Sequence, residues 1–258
     1  SAASELWRTD GTSAGTVALL TPENLPADTL VADRFCPTRL GTRILLNGLR
    51  SGTGFELYSS DGTPGQISLV RDVAPGSASG MALTPQIKLA AGRAWFVGNS
   101  SGGTTQSSAD LELWVSDGSA QGTQRVLDIN PAGSATPHSI VPYADGVAFV
   151  ANDGVSGYQL WRSDGTAAGT QRLSWRPPQP DIALLPTTEQ FGPAITVDGA
   201  RLFVVATLLD QQFNGLGAHL FVSQGQVGDL RRVVPATGAA ALAPQQLFRR
   251  KPERLAAD

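Results

Sequence analysis

Apolar and polar residues alternate in short runs along this chain, and Gly, Pro, Asn or Asp breaks each run after a few residues. That is the period-two pattern of strands with one buried face, not the 3.6-residue period of helices. Residues 138–176 show it most clearly, with strands expected at 139–143, 147–151, 158–163 and 171–174. The second of these contains Val147-Ala148-Phe149-Val150. Its counterparts are Ile44-Leu45-Leu46, Ala94-Trp95-Phe96-Val97 and Leu202-Phe203-Val204-Val205. The chain therefore reads as a succession of four-stranded units.

The third strand of each unit opens a repeat. Glu5-Leu6-Trp7-Arg8-Thr9-Asp10-Gly11-Thr12 returns as Glu56-Leu57-Tyr58-Ser59-Ser60-Asp61-Gly62-Thr63, as Glu112-Leu113-Trp114-Val115-Ser116-Asp117-Gly118-Ser119 and as Gln159-Leu160-Trp161-Arg162-Ser163-Asp164-Gly165-Thr166. A degenerate fifth copy reads His219-Leu220-Phe221-Val222-Ser223-Gln224-Gly225. The motif leucines Leu6, Leu57, Leu113, Leu160 and Leu220 are 51, 56, 47 and 60 residues apart, and 44 residues lead from Leu220 back to Leu6 through joined termini. Such periods belong to propeller blades with variable loops. The fold expected is an all-β, five-bladed β-propeller with four antiparallel strands per blade.

The expected domain is single and spans residues 1–258, with units at 1–20 together with 244–258, 33–74, 84–131, 138–176 and 192–235. Ala243-Pro244-Gln245-Gln246-Leu247 echoes Leu83-Thr84-Pro85-Gln86-Ile87, so the C-terminus should supply the two inner strands of one blade and the N-terminus its two outer strands. Sharing a blade would remove the open sheet edges at the two ends.

In the Asp-Gly-Thr segment, Asp can bond to backbone N–H groups ahead of it and Gly accepts positive φ. Asp10, Asp61, Asp117 and Asp164 are thus expected to be structural turn residues. The aromatics Trp7, Tyr58, Trp114, Trp161 and Phe221 are expected to pack between neighbouring blades. On these residues the chain resembles the bacterial family of Glu-Leu-Trp-x-x-Asp-Gly-Thr repeat proteins, over essentially its whole length. The resemblance implies a propeller-like fold and a secreted or cell-surface location, with no uniform activity. The turn is also similar to the Asp-box of sialidase propellers, which bears on fold and not on activity.

Composition narrows the function. Twenty-nine Gly and 17 Pro suit a turn-rich chain, and the net charge is −3 with basic residues scattered, apart from Arg249-Arg250-Lys251, which excludes a stripe for nucleic acid. No apolar run approaches the roughly 20 residues of a membrane span. Residues 1–4 carry no leader-like features, so a mature, soluble chain is expected. Cys36, the only cysteine, lies in an apolar segment and reads as a small buried hydrophobe.

Catalytic chemistry is sparse. His138 and His219 are the only histidines, and no metal-ligand spacing, phosphate loop or nucleophile elbow occurs. No metal and no cofactor is implied. The non-repeated acids Asp33, Asp72, Asp110, Asp128, Asp145, Asp153, Asp181, Glu189, Asp198 and Asp210 contain no evident pair. Sites on repeat scaffolds sit in the insertions. The loops between second and third strands vary most, and they should share a face opposite the Asp-Gly turns. Candidate ligand residues there are Asn99 and Asp110, Asn152 and Asp153, and Asp210 and Asn214. The expected function is a non-enzymatic recognition module, secreted or displayed on a bacterial surface, that binds glycan or protein through this face. The alternatives are a glycosidase-like hydrolase with carboxylates in a central funnel, and a structural spacer within a larger adhesin.

Overall fold

The structure, a computed structural model, describes residues 5–21, 29–30, 37–50, 52–81, 87–103, 109–174, 195–209 and 215–233. These are all-β, with no helix among them. The predicted unit at 138–176 is a four-stranded antiparallel meander of β12 (His138–Tyr143), β13 (Gly146–Asn152), β14 (Tyr158–Ser163) and β15 (Gln171–Arg172). Two further sheets repeat this order. One has β8 (Lys88–Ala90), β9 (Arg93–Asn99), β10 (Leu111–Ser116) and β11 (Gln124–Arg125). The other has β16 (Ile195–Asp198), β17 (Arg201–Leu209), β18 (Gly215–Ser223) and β19 (Arg231–Arg232).

The sheet before them contains β4 (Thr38–Leu40), β5 (Arg43–Arg50), β6 (Gly54–Ser60) and β7 (Ser68–Arg71), and β3 (Thr29–Leu30) adds a fifth strand against the far end of β5. The first sheet has only β1 (Leu6–Arg8) and β2 (Val17–Leu20). Strands expected from residues 244–258 lie outside the described residues, as does Cys36.

Strand alternation places the core between the sheets. Tyr58 packs with Leu19, Leu20 and Leu46 between the first and second sheets. Trp114 meets Leu45, Leu57 and Val70 between the second and third. Trp161 meets Trp95, Leu113 and Val126 between the third and fourth, and Phe221 meets Ala148, Leu160 and Leu173 between the fourth and fifth. In each seam the motif aromatic of the later sheet faces the motif leucine of the earlier one. Gly48 and Gly98 make room for it, since a Cβ would stand 2.7 Å from the Tyr58 ring and 2.6 Å from the Trp114 ring. Trp7, expected to pack in the same way, is instead 53% exposed. Trp95, which lies outside the motif, is fully buried and donates its ring N–H to the Ala90 carbonyl.

The Asp-Gly turns close the third and fourth strands with one hydrogen-bond pattern. Asp164 Oδ1 accepts from the Thr166 N–H at 2.8 Å and the Thr166 hydroxyl at 2.7 Å, and the bonds of Asp10 to Thr12 and of Asp117 to Ser119 match them. The Gly165 N–H donates to Ser163 Oγ, as Gly11, Gly62 and Gly118 donate to Thr9, Ser60 and Ser116. The second Gly-Thr follows from packing, because a Cβ at Gly15, Gly122 or Gly169 would fall about 2 Å from the Asp carboxylate. In the degenerate copy Asp229 does the work from the far side of the turn, accepting from Ser223 Oγ and from the Gln224 N–H.

Candidate functional site

The first strands of successive sheets approach one another, β4 to β8, β8 to β12 and β12 to β16, so the sheets fan out from a shared inner edge. One end of this fan carries the hairpins between first and second strands together with the Asp-Gly turns. The other carries the loops between second and third strands and the connections from each sheet to the next. This second end is the loop face.

Two glutamates of the repeat anchor the loop face from within. Glu56 and Glu112 are fully buried. Glu56 accepts from the N–H groups of Val73, Ala74 and Gly80 at 2.9, 3.2 and 2.8 Å, pinning the connection to the next sheet. Glu112 accepts equivalently from Ile129 and Asn130 at 3.1 and 3.2 Å. Burial pushes both carboxyls up to about 7 despite these bonds, and the neighbouring Asp72 and Asp128 add to the rise. Because the same environment recurs in two sheets, it belongs to the scaffold. In the fourth sheet the amide of Gln159 takes different partners, donating to the Ser156 carbonyl and accepting from Ser174 Oγ.

The candidate ligand residues fall into two loop networks. Asn99 donates to the Gly103 carbonyl, and its Oδ1 accepts from Ser101 Oγ and from the Asp110 N–H at 3.0 Å. Asp110 pairs with Arg125 at 3.0 Å and accepts from Ser100 Oγ, and Arg125 also reaches Asp128 at 3.2 Å. Asn152 caps the Gly154 N–H. Asp153 pairs with Arg172 at 2.8 Å. Burial alone would raise Asp153, but the N–H groups of Ser156 and Val155 hold it below the usual carboxylate range. The structure thus joins Asn99 to Asp110 and sets Asn152 beside Asp153, each network tied to the fourth strand of its sheet by an arginine. Asp210 and Asn214 lie outside the described residues.

Carboxylate oxygens of Asp110, Glu112 and Asp128 lie within 4.8 Å of one another, and Arg125 supplies positive charge between the two aspartates. His138, at the loop-face end of the inner strand β12, leans on Tyr158 with ring centroids 5.4 Å apart, and its Nδ1 meets Ser139 Oγ at 3.1 Å. Burial lowers its pKa. The flanking Thr136 and Ser139 hold φ of +48° and +52°.

On the opposite end, a cleft of about 70 Å³ is lined by Tyr143, Asp145, Arg162 and Asp164 among others. Small-molecule pockets measure roughly 300–1,000 Å³, so this cleft is too small for a sugar substrate. The turn acids, of which Asp164 alone lines this cleft, are engaged. Thr12 and Thr63 hold Asp10 and Asp61 below the usual range, through their N–H first and then their hydroxyl. For Asp117 and Asp164 the hydroxyls of Ser119 and Thr166 lead. Among the described residues of the inner strands β4, β8, β12 and β16, Asp198 is the one carboxylate, at the end away from the loop face.

Sequence reasoning missed the Ser or Thr that precedes each turn Asp or its substitute, at Thr9, Ser60, Ser116, Ser163 and Ser223. The signal was present as a hydroxyl residue at the second variable position of every copy.

No family model matches the chain, and no curated protein matches it. Solved structures similar to it include a Penicillium chrysogenum α-L-arabinanase complexed with arabinobiose, at 12% identity and TM-score 0.39, covering 83% of this chain and 70% of that one. A thermostable family-43 glycoside hydrolase matches at 12% identity and TM-score 0.34, covering 83% and 74%. A GH43 endo-arabinanase from Bacillus licheniformis matches at 15% and 0.30, covering 76% and 74%. At these identities and scores, nothing about substrate or catalysis transfers to this chain.

Proposed function

We propose that this chain is a non-enzymatic recognition module, secreted or displayed on a bacterial surface, that binds glycan or protein through its loop face. Its scaffold is read as a single five-bladed β-propeller of the Glu-Leu-Trp-x-x-Asp-Gly-Thr repeat family, with residues 244–258 and the N-terminal strands sharing a blade. The observation that carries the functional reading is how the acids divide. The recurring acids Asp10, Asp61, Asp117, Asp164, Glu56 and Glu112 all accept bonds that hold turns and connections. The loops between second and third strands differ from sheet to sheet, and there the Asn99–Asp110 and Asn152–Asp153 networks stand on the strands.

The competing reading, a glycosidase-like hydrolase, needs two carboxyl groups facing each other at roughly 5–10 Å across a pocket. Among the described residues of β4, β8, β12 and β16 there is one carboxylate, Asp198. The test is a glycan array and a protein pull-down with the whole chain, repeated after residues 100–109 are exchanged for the shorter 153–157 loop. Binding that disappears on the exchange while the melting transition persists supports the reading. A folded protein that binds nothing, or binding indifferent to the exchange, overturns it and favours a spacer role.

A further inference from the structure

An Asp-Gly bond is prone to rearrange in water, because Gly has no side chain to keep its backbone nitrogen from attacking the preceding side-chain carboxyl. The attack forms a C–N bond, expels one water and closes a succinimide ring. Water then reopens the ring at either carbonyl, restoring Asp or leaving isoaspartate, in which the backbone runs through the side chain. The sequence holds seven such bonds, after Asp10, Asp61, Asp117, Asp145, Asp153, Asp164 and Asp198. Alike in sequence, they divide in the structure.

Four lie in the repeat turns, where both reacting groups are occupied. The glycine N–H donates to the hydroxyl of the residue before the Asp, at 3.0 Å from Gly11 to Thr9, 3.1 Å from Gly62 to Ser60, and 3.0 Å from Gly118 and Gly165 to Ser116 and Ser163. The carboxylate is drawn forward by the N–H two residues on, at 2.8–2.9 Å. Such donors favour the ionised carboxylate, whereas ring closure needs the acid, whose hydroxyl can leave as water. Asp153-Gly154 is guarded likewise. Asn152 Oδ1 takes the Gly154 N–H at 2.8 Å, and the Asp153 carboxylate is held by the N–H groups of Val155 and Ser156 and by Arg172. Packing guards Asp145-Gly146, since Gly146 is buried opposite Tyr143 and a Cβ on it would stand 1.9 Å from the Ser163 carbonyl oxygen.

Asp198-Gly199 has none of these restraints. It lies in the tight hairpin between β16 and β17, closed by the pairing of Asp198 with Arg201, and residues 196–201 are all exposed. Among the described residues, neither the Asp198 carboxylate nor the Gly199 N–H has a hydrogen-bond partner. The hairpin also carries a contact between sheets, because the Ala200 carbonyl accepts the Tyr143 hydroxyl of the fourth sheet at 2.9 Å.

We infer that Asp198 is a site of spontaneous covalent modification, converting to isoaspartate in the folded chain while the other six Asp-Gly bonds are protected by the structure that holds them, and that the conversion loosens the Tyr143 contact. Isoaspartate adds one C–C bond, about 1.5 Å, to the backbone just before Ala200. The hydroxyl ahead of each turn Asp thereby gains a second role, as a guard on the chemistry of its own turn.

The test incubates the whole folded chain at physiological temperature and near-neutral pH, maps its peptides by electron-transfer fragmentation, which separates isoaspartate from Asp, and follows the melting transition. Expected are isoaspartate at 198 ahead of the six other positions, a melting temperature that falls as it accumulates, and neither change in Gly199→Ala. Ala suits that turn, since Ala91 and Ala144 hold φ of +50° at the same place in the β8–β9 and β12–β13 hairpins. In the chain unfolded by denaturant, the seven sites should react at comparable rates. Ser60→Ala, which frees the Gly62 N–H, should raise isoaspartate at 61 towards the level at 198. A rate at 198 no greater than at the guarded sites of the folded chain overturns the assignment, and so does the same preference for 198 after unfolding. Isoaspartate at 198 with an unchanged melting transition overturns the link to Tyr143, and a Ser60→Ala protein that stays unmodified at 61 overturns the guarding role of the hydroxyl.

Discussion

Replacing Gly169 by Ala tests whether the Asp-Gly turn and the Gly-Thr that follows it act as one unit. Gly169 does not occupy the left-handed region, so Ala suits its backbone, and at such a site the change ordinarily stabilises by about 0.4–1 kcal/mol. Here the added Cβ would stand 2.1 Å from Asp164 Oδ1 and Cγ, where no atom can sit. The carboxylate must leave, breaking its bonds to the Thr166 N–H and hydroxyl. Hydrogen bonds to charged groups contribute about 1.5–3 kcal/mol each, but this turn is largely exposed, so the pair is discounted to about 1–2 kcal/mol in total. For a chain of this size that is a fall of roughly 2–8 °C in melting temperature. The assay is calorimetric or denaturant unfolding of G169A, D164A and the double variant. With Asp164 already Ala, the clash is gone, and Gly169→Ala should be neutral or slightly stabilising. If Gly169→Ala costs as much in the D164A background as in the native one, the account of the motif is wrong.

Other outcomes follow from the same geometry. Gly98→Ala should push Trp114 from its seat and cost about 1–3 kcal/mol through overpacking, read by denaturant midpoint and Trp fluorescence, whereas Gly133→Ala, whose Cβ meets only Asn130 Nδ2 at 3.8 Å, should cost nothing through packing. Arg93→Ala should lower stability by about 1–2 kcal/mol, and Arg93→Lys should not restore it, since one planar guanidinium both stacks on Trp95 and reaches two carbonyls. Glu56 and Glu112 are raised from 4.5 to about 7, so the folded chain keeps protons that the unfolded chain has lost. Their contribution is complete below about pH 4.5 and disappears as pH rises through about 7. His138, whose pKa burial lowers, contributes in the opposite sense, so the reading lies in the difference: between pH 5 and pH 8 denaturant midpoints should fall more, or rise less, in the wild type than in Glu56→Gln and Glu112→Gln, and parallel profiles would refute the assignment.

Much of the scaffold was legible because its physics is local. The alternation in residues 147–150 and 158–163 sets which side chains leave each face of a strand. The Asp-Gly-Thr turns follow from side-chain bonds spanning two residues; the hydroxyls at Thr9, Ser60, Ser116, Ser163 and Ser223 bond over the same span but went unread. Repetition then carried these local readings along the chain.

Tertiary structure decided what depends on partners distant in sequence. Nothing local to Glu56 says that its carboxylate will hold the N–H of Gly80, 24 residues on. Nor does Asp110 reveal that it will pair with Arg125 on the outermost strand, or Trp95 that it will be buried between sheets. Asp110 and Asp153 read as free loop acids along the chain, and folding turned both into ion-paired struts. Alternation and turn chemistry act over two to five residues, so the sequence by itself determined the repeating unit. Which face meets which neighbour, and which acids remain for a ligand, is set only when whole sheets pack.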